Sequence, residues 1–250
     1  RALGFDWDFA PVLDVDTNPA NPVIGDRSFG ADPALVARLG VALGLGLEEG
    51  GVASCGKHFP GHGDTAQDSH LALPSLPHAL DRLRKVELPP FEAFGKAGLS
   101  SLMTAHVVFE ALEPGVPATM SRRVLAELLR QELGFAGVLV SDDLEMKAIA
   151  KHYSVERAVV DGVNASVDLF LVCHDEGVQR RAIDALCAPV RDGRVSKQRL
   201  DEASGRLSAL ARKFARGPED RVAELGSEPH RALAAGLDAG SFVGRDPTER

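Results

Sequence analysis

The chain has 250 residues, 44% hydrophobic and 26% charged, a composition ordinary for a soluble globular protein and sufficient for a substantial core. A formal charge of −8, with Lys and Arg scattered, excludes a nucleic-acid-binding surface. No apolar run approaches the roughly 18 residues of a membrane span.

Phe5 to Asp14 reads as a strand, first alternating acidic and aromatic residues and then apolar, followed by Asp- and Pro-rich loop sequence to Arg27. Asp32-Pro33 is an N-cap with proline at the first helical position, and Leu35, Leu39, Leu43 and Leu47 follow at helical spacing until Gly50-Gly51 stops the helix. A short strand, Val52 to Lys57, leads into a polar loop. Leu80 to Leu88 and Phe91 to Ala97 read as helices broken by Pro89-Pro90. Leu99 to Val108 is a strand. Ser121 caps a helix that Gly134 closes, and Gly137 to Asp143 is an apolar run ending in carboxylates. Ser154 to Val163 is helical, Val167 to Cys173 is another strand, and Glu176 to Leu186 and Ser196 to Phe214 are helices.

Strands that are continuously apolar are covered on both faces, and strands separated by helices pair in parallel. The fold class is therefore α/β. Residues 1–190 form the β/α unit and 191–216 a C-terminal helix, while 217–250, rich in Gly, Pro, Arg and Glu, is expected to be a weakly ordered tail. Only five strands are counted, against eight in a closed (β/α)8 barrel. The chemically distinctive residues follow the C-terminal ends of those strands: Asp14 and Arg27, Lys57 to His70, His106, Asp142 and His174.

Three histidines, a lysine and two aspartates fall within Lys57–His70, in a segment that Pro60, Gly61 and Gly63 keep from becoming one helix or strand. Asp68, two residues before His70, can turn back to hold the imidazole and make it an acid and then a base near neutrality; both can equally be solvated loop residues. Lys57, His58 and Arg27 are donors suited to hydroxyls or carboxylates. Asp142, at the end of an apolar strand, suits a covalent nucleophile, a metal ligand or a helix N-cap. His58, His62, Asp64, Asp68 and His70 also admit a metal-dependent hydrolase, although the adjoining Lys57 and the lack of helical H-x-x-x-H spacing argue against it. Cys55, Cys173 and Cys187 are odd in number, far apart and without a C-x-x-C pair, so they offer no disulfide framework or structural zinc site and suit a reducing compartment or plain buried thiols.

Lys57-His58-Phe59-Pro60-Gly61-His62-Gly63, then Asp68-Ser69-His70 and Leu73-Pro74, closely resembles the signature of bacterial β-N-acetylhexosaminidases of glycoside hydrolase family 3. Phe9 to Asp14 with Ile24 to Phe29, Leu129 to Leu144, and Ala165 to Cys173 resemble further blocks of that family in order and spacing, so that the resemblance covers roughly residues 3 to 175. It implies a TIM-barrel fold and a retaining exo-β-N-acetylglucosaminidase that removes terminal N-acetylglucosamine from glycans such as peptidoglycan fragments. Asp142 then matches the nucleophile, His70 the acid/base and Asp68 its partner, while Arg27, Lys57 and His58 match sugar-binding residues. No cofactor and no metal are implied. Glu145 stands where the family usually carries a small residue. The resemblance places Arg1 near the family's fourth barrel strand, so strands four to eight are expected. An inactive fragment bearing the same signature is the alternative reading. No signal-peptide pattern occurs in Arg1–Asp8, and a cytoplasmic location is expected, with export left open.

Overall fold

A computed structural model of the chain describes residues 3–67, 69, 72–215 and 226–238. Its centre is a parallel sheet of β1 (Cys55–Phe59), β3 (Ser101–Thr104), β5 (Val138–Asp143) and β6 (Leu169–Leu171), in that spatial order. A second parallel pair, β2 (Ser75–Leu76) and β4 (Val108–Phe109), lies beyond the ends of β1 and β3 in the chain. The strand expected over Phe5–Asp14 is present as an extended segment bridged in parallel to the β1 side at Trp7–Ala53 and Val12–Lys57. Its ladder is interrupted because Pro11 has no N–H to give, although its carbonyl still accepts the Lys57 N–H at 3.0 Å. Five parallel lanes therefore lie side by side.

Helices connect the lanes. Asp32 caps α1 (Pro33–Glu49) by accepting the Ala34 N–H at 2.9 Å. Between β2 and β3 lie α2 (Leu80–Lys85) and α3 (Pro89–Lys96). Pro89 and Pro90 were expected to break the helices, but they begin α3, because first-turn N–H groups need no helical partner. Between β4 and β5 runs a π-helix, Arg123–Glu132, with Ser121 Oγ accepting the Val124 N–H at 3.0 Å. Two helices, α4 (Lys147–Ala150) and α5 (Val155–Ala165), precede β6; α6 (Glu176–Asp184), α7 (Cys187–Arg191) and α8 (Lys197–Phe214) follow it. Within the expected tail, Glu228–Asp238 forms a further helix, α9, where the Arg231–Ala235 run supplies strong helix formers. The rest of 217–250 lies outside the described residues, apart from Gly226 and Ser227.

Both faces of the sheet are apolar, as continuous hydrophobic strands require. Leu102 and Leu139 face the helices and join Phe59, Phe91, Phe94, Leu125 and Leu128 in the main core. Their neighbours Met103 and Val140 point to the opposite face, against Cys55, Trp7, Phe9, Leu169 and Leu171. Burial pushes the Cys55 thiol up to about 12, so it is a packing residue rather than a reactive one.

The N-terminal end of the sheet is held by ion pairs. Asp168, whose side chain is fully buried just before β6, accepts from Arg130 at 2.7 Å, from Arg206 at 3.1 Å, from Arg199, and from the Leu139 N–H at 3.0 Å. These contacts join the π-helix, α8 and two strands around one carboxylate. Removing one partner from such a cluster leaves buried charge uncompensated. Asp168→Asn is expected to lower stability by about 3–5 kcal/mol, read as a lower urea midpoint with an unchanged slope.

Candidate active site

The candidate residues converge at the opposite, C-terminal end of the strands, and Asp14 organises one side of that end. Its carboxylate is wholly buried. It accepts the His62 N–H at 2.6 Å, receives the His58 N–H at 3.2 Å on each oxygen, and meets His58 Nδ1 at 2.7 Å. Burial alone would raise the Asp14 pKa, but attraction to His58 and its side-chain hydrogen bond, then His62, outweigh burial and hold it below the ordinary carboxylate range. Asp14 thereby fixes the His58 ring and the turn that ends at His62.

Asn21 ties this turn to the Arg27 loop. Its Nδ2 donates to the carbonyls of His62 at 2.8 Å and Gly63 at 2.9 Å, while its Oδ1 accepts the N–H groups of Val23 and Ile24. Residue 63 must be glycine where this turn passes Val15, because a Cβ there would lie 1.9 Å from the Val15 carbonyl oxygen. Beyond Ile24 the chain makes a single 3-10 turn, Gly25–Arg27, whose arginine is exposed.

Lys57 is half-buried on β1, and burial followed by the nearby Arg27 charge lowers its pKa, opposed by Asp142 and Asp8. Lys57 is thus within electrostatic reach of both Arg27 and Asp142, although the three come from separate stretches of sequence. A cavity of about 520 Å³ opens beside Lys57, walled by Asp8, Phe9, Trp7 and Phe5.

Asp142 sits half-buried at the end of β5, its Oδ1 accepting the Asp143 N–H at 2.9 Å. Asp143 has a different task. Its Oδ1 accepts from Glu145 at 3.2 Å and Cys173 at 3.3 Å, and its carbonyl accepts from the buried His106 Nε2 at 3.0 Å. Glu145 in turn receives the His174 N–H at 2.6 Å and the Asp175 N–H at 3.0 Å, so its carboxylate joins the loops above β5 and β6.

His62 is buried between Thr65 Oγ1, 2.7 Å from its Nδ1, and Ser69 Oγ, 2.9 Å from its Nε2. Burial lowers its pKa. The Ser69 carbonyl accepts the Ala148 N–H at 3.1 Å, which joins this loop to α4. Asp68 and His70 lie outside the described residues. The ring nitrogens of His62 and the Nδ1 of His58 are already engaged within the protein, and no group of three described His, Cys, Asp or Glu side chains is placed to hold an ion. Asp14 and His106 were legible only as polar residues at strand ends; their hydrogen-bonding tasks were not.

Residues 1–210 match the glycosyl hydrolase family 3 N terminal domain. The chain belongs to glycosyl hydrolase family 3. The family's TIM-barrel type of fold accounts for the parallel lanes and their helical crossovers, of which five lanes are described here. The chain is 37% identical to a beta-hexosaminidase of Thiobacillus denitrificans, over 100% of this chain and 67% of the relative. It is 35% identical to beta-hexosaminidase A of Pseudoalteromonas piscicida, over 95% of this chain and 43% of the relative. The structure of a glycoside hydrolase family 3 beta-N-acetylglucosaminidase from Paenibacillus sp. str. FPU-7 superposes with a TM-score of 0.84 at 51% identity, over 85% of this chain and 41% of that one. The chain thus spans between 41% and 67% of the length of these three proteins.

The Asp14 contacts have a pH signature. A carboxylate with a depressed folded pKa contributes stability that is complete above its unfolded value and is lost as pH falls through the folded value. Asp14→Asn is expected to cost about 3 kcal/mol at neutral pH and to flatten the acid limb of stability, measured by urea unfolding at stepped pH. An unchanged acid limb would show that Asp14 carries no net charge stabilisation.

Proposed function

We propose that the protein is a retaining β-N-acetylglucosaminidase that removes terminal N-acetylglucosamine from glycans, with peptidoglycan fragments as its substrate class. The observation that carries this reading is that Lys57 lies within electrostatic reach of both Arg27 and Asp142 at the C-terminal strand ends of a family 3 chain. The names of the relatives, beta-hexosaminidase and beta-N-acetylglucosaminidase, supply the sugar.

In the first step an Asp142 carboxylate oxygen bonds to the anomeric carbon while the bond to the leaving oxygen breaks, and that oxygen takes a proton from His70. In the second, water attacks the anomeric carbon, yields its proton to His70 and releases Asp142 as a carboxylate. Asp68 orients and supports the His70 imidazole, whose charge change lies near neutrality. Most retaining glycosidases pair two carboxylates about 5 Å apart; a neutral histidine adds no second negative charge beside the departing intermediate. Arg27, Lys57 and His58 hold the sugar hydroxyls and acetamido group. The Asp14 contact leaves His58 Nε2 available for the sugar while fixing the ring through Nδ1.

An aryl β-N-acetylglucosaminide tests the reading. Asp142→Ala is expected to lower kcat by roughly 1,000-fold or more, and the anomer released first, followed by proton NMR, is expected to be β. Release of the α anomer would exclude retention. The alternative, an inactive fragment carrying the same signature, expects no turnover from residues 1–250 alone under conditions where the full-length protein is active. That comparison is informative because the chain spans 43% of the Pseudoalteromonas relative.

A further inference from the structure

His106 is a polar side chain buried to 1% exposure. Both of its ring nitrogens are occupied. Nε2 lies 3.0 Å from the Asp143 carbonyl, which only accepts, so Nε2 carries the proton. Nδ1 lies 2.8 Å from Thr119 Oγ1. Burial disfavours the imidazolium, with the pull of nearby Asp142 acting the other way, and the net pKa is lowered. In the neutral ring Nδ1 is therefore a lone pair facing the Thr119 hydroxyl, whose proton it shares with the Ala105 carbonyl at 3.1 Å, and the Thr104 hydroxyl lies 2.8 Å from Thr119 Oγ1. The Asp143 carbonyl sets the tautomer, and the pair of hydroxyls reaching back to β3 accommodates it.

The far end of this chain is the residue after Asp142. Asp143 is fixed by the His106 donor and the Met146 N–H on its carbonyl, and by the N–H groups of Glu145 and Cys173 on its Oδ1. Its own N–H is the group that orients the Asp142 carboxylate, at 2.9 Å. We propose that His106 is a positioning residue for Asp142: by donating from Nε2 to the Asp143 carbonyl, it sets the direction of the N–H that aims the Asp142 carboxylate at the anomeric carbon. The inference rests on Asp142 being the nucleophile. His106 itself touches no reacting atom, and Thr119 acts one step further back by holding its ring through Nδ1.

The test is steady-state hydrolysis of an aryl β-N-acetylglucosaminide by the full-length protein, with thermal melting on each variant. His106→Ala is expected to lower kcat about 100-fold, with KM within about threefold. His106→Gln, whose amide can donate to the same carbonyl, is expected to recover most of that loss. Thr119→Val leaves the imidazole in place but removes the hydroxyl that holds its Nδ1, and is expected to lower kcat about 10-fold. The proposal is overturned if His106→Ala and Thr119→Val keep wild-type kcat, if KM rises while kcat stands, or if the Gln variant is as impaired as the Ala variant. Should His106→Ala fail to fold, the Gln and Thr119→Val variants decide it: wild-type kcat in Thr119→Val, or no activity in folded His106→Gln, overturns it. Asp142→Ala separates the two claims. If it still turns over substrate, the nucleophile assignment fails; if it is inactive while His106→Ala matches wild type, only the positioning role fails.

Discussion

One buried carboxylate sets the geometry of the strand ends. Asp14 reaches across from the extended N-terminal segment to two backbone N–H groups and one imidazole nitrogen on β1 and the turn beyond it. A charge buried this deeply is tolerated only when its lone pairs are filled, and here the partners are the same groups that must be held still. The loop after β1 therefore leaves the sheet in one direction. Asn21 copies that direction to the Arg27 turn, and His62 passes it on to Ser69 and so to α4.

The two ends of the sheet divide the work. At the N-terminal end, Asp168 collects three arginines and a strand N–H, locking α8 and the π-helix against the strands. At the C-terminal end, beside the fully paired Asp14, Lys57 lies half-buried within electrostatic reach of the exposed Arg27 and the half-buried Asp142. A buried carboxylate thus braces each end of the sheet, Asp168 at one and Asp14 at the other.

Much of the fold was legible because it depends on local rules. The caps read at Asp32 and Ser121, and the helix starts read at Ser154 and Ser196, each place a side-chain oxygen on a nearby N–H. The apolar run over Gly137–Asp143 becomes a central strand, whereas of Leu99–Val108 only Ser101–Thr104 does, and Val108 begins β4 in the second pair. The departures also have causes. A proline pair serves as well to begin a helix as to break one, so Pro89-Pro90 was ambiguous by spacing alone. The β2–β4 pair spans only two residues per strand, too short for any periodicity. Asp14 and His106 were visible as polar residues at strand ends, but their partners lie 44 and 37 residues away, and nothing in the local sequence announces a contact made by folding.

Glu145 shows how a site can stay fixed while its rim varies. Its carboxylate holds the loop after β6 by the backbone N–H groups of His174 and Asp175, not by their side chains. The His174 side chain is 78% exposed and meets Asp143 only at 3.3 Å, a pairing worth little in water. Because every residue other than proline presents the same N–H, the exposed His174 side chain can change without moving the ground beneath Asp142. Asp175 differs, since its side chain also caps α6 by accepting the Val178 N–H at 2.8 Å, so the anchor leaves one rim position open to change and commits the next.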